Sequence, residues 1–104
     1  MQWTRKERAY MKLMISQPMH GKSNEQIKME RESLVKELEA QGHEVIDTVF
    51  DFDIDKSGVW YLAKSIEAME DVDGVVFMPG WNQTRGCIIE NQVALAYNKF
   101  VKYV

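Results

Sequence analysis

An α/β fold built on a parallel sheet wrapped by helices is predicted by three observations. Short apolar runs alternate with amphipathic helical patterns in the order βαβαβαβ, the arrangement that right-handed crossovers turn into a parallel sheet. The run Gly74-Val75-Val76-Phe77-Met78 is apolar on both alternating faces, as a central strand covered by helices on both sides requires. No repeat, linker or low-complexity tract interrupts the pattern.

The elements follow in order. Lys12 to Ile15 reads as the first strand, and Ser16-Gln17-Pro18 breaks it into a loop that continues through His20-Gly21. Ser23 with Gln26 three residues on forms a capping box. The helix behind it carries Ile27, Leu34, Val35 and Leu38 on one stripe and stops at Gly42, the residue type that suits a left-handed C-cap. Glu44 to Phe50 reads as a second strand, followed by an acidic loop, Asp51-Phe52-Asp53-Ile54-Asp55. Ser57 caps a second helix whose stripe is Val59, Leu62, Ala63, Ile66 and Met69. A third strand, Gly74 to Met78, leads through Pro79-Gly80-Trp81 into a third helix over roughly Thr84 to Asn98, and Phe100 to Val104 closes the sheet.

Composition narrows the function classes. At 104 residues the chain supports one core, with residues 11–104 as the single domain and residues 1–10, charged and without an apolar centre, as a flexible N-terminal extension. A net charge of −3 without a concentrated basic patch argues against a nucleic-acid surface. No apolar run approaches the roughly 20 residues that span a bilayer, so a membrane partner is not expected. Cys87 is the single cysteine, which rules out an intrachain disulfide and fits a reducing cytoplasm; no metal and no cofactor is expected.

In a parallel sheet the strand-to-helix loops share one edge, and ligands bind there. The loops from Ser16 to Ser23, from Asp51 to Ser57 and from Pro79 to Arg85 are therefore the ones that build a site. On the third helix Glu90, Val93, Ala94 and Tyr97 recur at three and four residues, which puts the Glu90 carboxylate on the inward face. Two readings stand: a half-buried carboxylate favoured by the helix N-terminus, or a nucleophile kept ionised by the same field. Gly80 and Gly86 frame the loop, and Trp81 either stacks on a ligand ring or lids the core. Arg85 meets an anion or balances helix electrostatics.

Other polar residues read as structural. The acidic loop looks like the start of a calcium-binding EF-hand but has Lys56 at the sixth position and Leu62 at the twelfth, so it fails as a calcium site. Asp71 and Asp73 are turn residues at the far edge, and His20 and His43 lack neighbours at metal-ligand spacing, which assigns them surface or loop roles. Cys87 reads as packing, and Arg31 as one half of an internal salt bridge.

The strand ending Ile15-Ser16-Gln17-Pro18-Met19-His20-Gly21, with the later order Gly80-Trp81, Arg85-Gly86-Cys87 and Glu90, resembles the nucleoside 2-deoxyribosyltransferase-like superfamily. The match is to a small, largely uncharacterised branch of that superfamily often found on phage and other mobile elements. The resemblance spans Met11 to the end and implies a flavodoxin-like, Rossmannoid three-layer sandwich with a four- to five-stranded parallel sheet. It further implies that Glu90 attacks the anomeric carbon of a nucleoside or nucleotide, in a transferase or hydrolase reaction that retains configuration. Ser16, Gln17, Met19 and Gly21 of the first loop, Ser65 of the second helix, and Gly80, Trp81, Arg85 and Gly86 of the third loop would then contact this small-molecule substrate. Homodimers or larger homo-oligomers, in which a neighbour completes the pocket, are implied as well.

The chain departs from characterised relatives at two places. They carry an aspartate on the second helix where this chain has Ser65, and a serine is a much weaker proton donor. Glu67 lies on a different face of the helix, and Gln17 stands where transferases commonly have glycine. A nucleotide or nucleotide-sugar binding module without efficient catalysis is therefore the alternative expectation, and a structural partner presenting its aromatic edge to another protein is a third.

Overall fold

The computed structural model describes residues 10–46 and 57–104. The element order is β1 (Lys12–Ser16), α1 (Asn24–Ala40), β2 (Glu44–Val45), α2 (Gly58–Met69), β3 (Gly74–Phe77), a 3-10 turn (Trp81–Gln83), α3 (Arg85–Ala96) and β4 (Phe100–Tyr103). All four strands are parallel in the order β2-β1-β3-β4. With α1 on one face and α2 and α3 on the other, this is the layered flavodoxin-like arrangement, whose switch point lies between β1 and β3.

Period-two alternation along the strands divides the core. Leu13 and Ile15 of β1 and Val76 of β3 pack under Leu34 and Leu38 of α1. Met14, Val75, Phe77 and Val101 face the other way, against Met69 of α2 and Ala94 of α3. Ser16 follows Ile15 and so turns to the α2/α3 side, which decides where the site forms. Register places Ser16 beside Phe77 and Phe77 beside Tyr103 at the carboxyl edge.

Both caps expected from the sequence form: the Ser23 and Ser57 hydroxyls accept from the N–H groups of Gln26 and Trp60 at 3.1 and 3.3 Å. Helix α1 ends with Gly42 at φ +95°, a left-handed position that glycine occupies without strain. Asp73 is more than a turn residue, because its Oδ2 accepts from the Lys12 N–H at 2.8 Å and its own backbone pairs with Lys12 and Phe100, joining the starts of β1 and β4.

Several boundaries and faces differ from expectation. In α2, Leu62, Ser65, Ile66 and Met69 form the inner stripe, whereas Val59 is 76% exposed and Ala63 is exposed; at about 100° per residue both turn to one flank of that stripe. Helix α3 ends at Ala96, and Asn98 takes a positive φ of 61°, so Tyr97 leaves the inward face and is 75% exposed. β2 is Glu44–Val45, and the Ile46 N–H still donates to the Leu13 carbonyl at 2.8 Å; residues 47–50 of the strand expected to Phe50 and the acidic loop at 51–55 lie outside the described residues.

His43 is also corrected, from a surface role to a buried one. Its side chain is 6% exposed and its Nδ1 accepts the Met11 N–H at 3.1 Å, fastening the entry of β1 to the end of α1. Burial, and then the nearby Lys102 charge, hold the imidazole below its ordinary pKa. A depressed histidine pKa gives stability that is present at neutral pH and lost as pH falls below about 6.5. His43→Leu should cost about 1–3 kcal/mol in urea denaturation by orphaning the Met11 N–H, and should flatten the stability loss between neutral and mildly acid pH. An unchanged acid limb would show that His43 is not its source.

Candidate functional site

The site grows from the end of β1. Ser16, 1% exposed, donates its hydroxyl to Glu90 Oε1 at 2.8 Å, and the Ser65 hydroxyl from α2 bonds the same carboxylate. Three elements therefore converge on one buried acid. Glu90 sits on the buried stripe Cys87, Glu90, Asn91 and Ala94 of α3, at the spacing a helix uses for one face.

Above this carboxylate lies a cavity of about 190 Å³ at the carboxyl edge. The β1–α1 loop contributes Gln17, Met19 and His20, α2 contributes Gly58, Tyr61, Leu62 and Ser65, and α3 with its N-cap contributes Thr84, Gly86, Cys87 and Glu90. Small-molecule sites usually enclose roughly 300–1,000 Å³, so the described walls suit one ring of a ligand. A wider groove of about 440 Å³ runs along α1 past Val35 and Val45, at the border of the described residues, with no buried carboxylate on it.

Electrostatics at the floor are in tension. Burial pushes the Glu90 carboxyl above the usual carboxylate range, and the Ser16 and Ser65 hydroxyls pull it part of the way back by favouring the charged form. Burial likewise raises the Cys87 thiol; a Ser16 hydrogen bond opposes that and the Glu90 charge adds to it. The thiol is thus held as a packed, protonated group. Gln17 is 6% exposed, and its Nε2 donates to the Ile27 carbonyl at 2.8 Å, which leaves Oε1 without a hydrogen-bond partner. Buried polar atoms are nearly always paired, so this oxygen marks a place where a donor is wanted.

The residues expected at a site separate into two groups. Gln17, Met19, Ser65, Gly86 and Glu90 come together around the cavity, with Ser16 beneath its floor. Gly21, Gly80, Trp81 and Arg85 do not line it. Trp81 stacks on Tyr103 at 5.1 Å and lies tilted against Phe77 at 5.5 Å, so its ring lids the second core cluster instead of forming a ligand wall. Asn91 Nδ2 donates to the Tyr103 hydroxyl at 2.8 Å and locks that stack. Gly80 adopts φ +91° to start the 3-10 turn, the Thr84 hydroxyl donates to its carbonyl, and Arg85 is exposed at the first position of α3.

His20, Tyr61, Leu62 and Thr84 were not singled out from sequence as cavity residues. The i, i+4 pair Tyr61 and Ser65 was a usable signal, because it aligns a second face of α2. Among the described residues there is no cluster of three or more His, Cys, Asp or Glu able to hold a metal, and no helix long and apolar enough to cross a membrane.

Residues 11–103 match the family described as Domain of unknown function (DUF4406), and the chain belongs to that family. Neither a curated protein nor a solved structure matches it.

Because the folded-state pKa of Glu90 is raised, its contribution to stability is present below the unfolded pKa and lost as pH rises through the folded one. Glu90→Gln removes the cost of a buried charge. The melting temperature of the variant minus that of the wild type should rise as pH climbs from about 4 through the raised folded-state pKa and then level off, each kcal/mol appearing as about 4–8 °C. A difference that stays flat across that range contradicts the electrostatic assignment.

Proposed function

We propose that this DUF4406 chain transfers or hydrolyses the N-glycosidic bond of a nucleoside or nucleotide, with Glu90 as the nucleophile. The observation that carries the reading is a single buried carboxylate, held by two hydroxyls, on the floor of a ring-sized cavity at the switch point of the sheet. A carboxylate deprived of water attacks carbon more readily than a hydrated one, provided that its environment keeps it ionised. The Ser16 and Ser65 hydroxyls pull toward the charged form, against the burial that raises the carboxyl pKa overall.

In the reaction, a Glu90 oxygen bonds to the anomeric carbon while the bond to the base nitrogen breaks and its electron pair leaves with the base. Water, or a second base, then attacks the same carbon from the vacated side and returns the carboxylate. Two inversions retain the configuration, as in retaining glycosidases. The free Gln17 Oε1 is suited to accept from a sugar hydroxyl or a base N–H. A cavity of this size leaves the rest of the ligand to be covered by a neighbouring copy, in keeping with a homo-oligomer, and the lone thiol suits the cytoplasm.

A second reading has its own support. Ser65 stands where an acid would assist departure of the base, and its hydroxyl is turned to Glu90. A nucleotide-binding module that binds without turnover would show the same arrangement.

Chromatography of free base after incubation with a panel of deoxynucleosides, nucleotides and nicotinamide dinucleotide separates the two readings. The enzyme reading expects release that falls at least about 1,000-fold in Glu90→Ala. Calorimetric binding without release favours the module, and neither binding nor release contradicts both. Gln17→Leu should weaken ligand binding about 3- to 10-fold, the worth of one neutral hydrogen bond, and an unchanged affinity removes Gln17 from the contact set.

A further inference from the structure

We infer that His20 is the proton donor to the departing base. The inference rests on the glycosyl-transfer reading above. It follows from where the side-chain protons on the cavity lie. The Ser65 hydroxyl is spent on Glu90, and the Thr84 hydroxyl donates to the Gly80 carbonyl at 3.0 Å. The Cys87 thiol is 2% exposed and bonded to Ser16, and Tyr61 is half-buried on α2 with its ring edge-on against Trp60 at 5.0 Å. Of the titratable side chains on the described lining, His20 is the one exposed to solvent, at the tip of the β1–α1 loop and opening onto the same ring-sized cavity as Glu90.

The two residues come from different elements, one at the floor and one on a solvent-facing loop. That division suits a nucleophile that must be shielded and an acid that must be recharged from solvent. Tyr61 on α2, with Cys87 and Glu90 on α3, are the titratable groups sharing the cavity with His20; Lys22 on its own loop is paired with Glu30 at 2.9 Å.

The steps balance. The imidazolium gives its proton to a ring nitrogen of the base as the glycosidic bond breaks, so the base leaves neutral and His20 is left neutral. In the second step the neutral imidazole takes a proton from the attacking water. The new carbon–oxygen bond forms, the ester bond to Glu90 breaks with its electron pair returning to the carboxylate, and His20 is restored.

The test compares two leaving groups in the intact chain. A purine deoxynucleoside needs the proton, whereas a pyridinium nucleoside such as nicotinamide riboside releases its base as a neutral molecule without one. His20→Gln should slow purine release at least about 100-fold, with pyridinium release changed less than about 3-fold. Added imidazole should restore purine release in His20→Ala. Equal effects on both substrates overturn the role of His20 while the glycosyl reading stands. Absence of release from either substrate in the wild type overturns both.

Discussion

The hydrogen bond from Ser16 Oγ to Glu90 joins two residues 74 positions apart and is the contact around which the site is arranged. It exists because β1 alternates: Leu13 and Ile15 point to α1, so Met14 and Ser16 point to α2 and α3. A one-residue slip of the strand would send Ser16 under α1 and leave the carboxylate without its donor. Sheet register, helix face and site chemistry are thus one constraint. Asp73 and His43 reinforce it from the opposite edge by fixing where β1 begins.

That constraint is energetically uphill. A carboxylate buried in a 104-residue domain costs stability that an apolar side chain would not, and two hydroxyls offset only part of the cost. A nearby acceptor, Gln17 Oε1, is buried without a partner, a second expense in the same place. Two unfavourable features thus meet around one cavity, in a core that is otherwise packed from Leu, Val, Met and Phe, the kind of local conflict that proteins keep at functional sites. Membership of a family of unknown function leaves the chemistry of the residues as the ground for the functional reading.

Much of the fold was legible in local patterns. The doubly apolar run at Gly74 announced the central strand, the Ser caps announced two helix starts, and the stripe through Glu90 put that carboxylate inside. What local patterns did not carry was the company each side chain keeps. Trp81 read equally as a ligand stack or a core lid because its loop lies at the binding edge, and Tyr103, whose stacking makes it the lid, is reached only through β3–β4 pairing. His43 read as a surface residue because its acceptor role depends on Met11, 32 positions away. His20 lacked any partner in sequence, and its place on the cavity wall follows from how the first loop turns over β1 toward α2. Ser65 was noted as a missing acid; its hydrogen bond recasts it as a support for the carboxylate.

The most direct test of Glu90 as the nucleophile is acid-quench mass spectrometry of the protein mixed with each deoxynucleoside of the panel. A nucleophilic Glu90 leaves a glycosyl adduct on the peptide that contains it, absent in Glu90→Gln. Turnover with no adduct at any quench time, or an adduct on another residue, would contradict it.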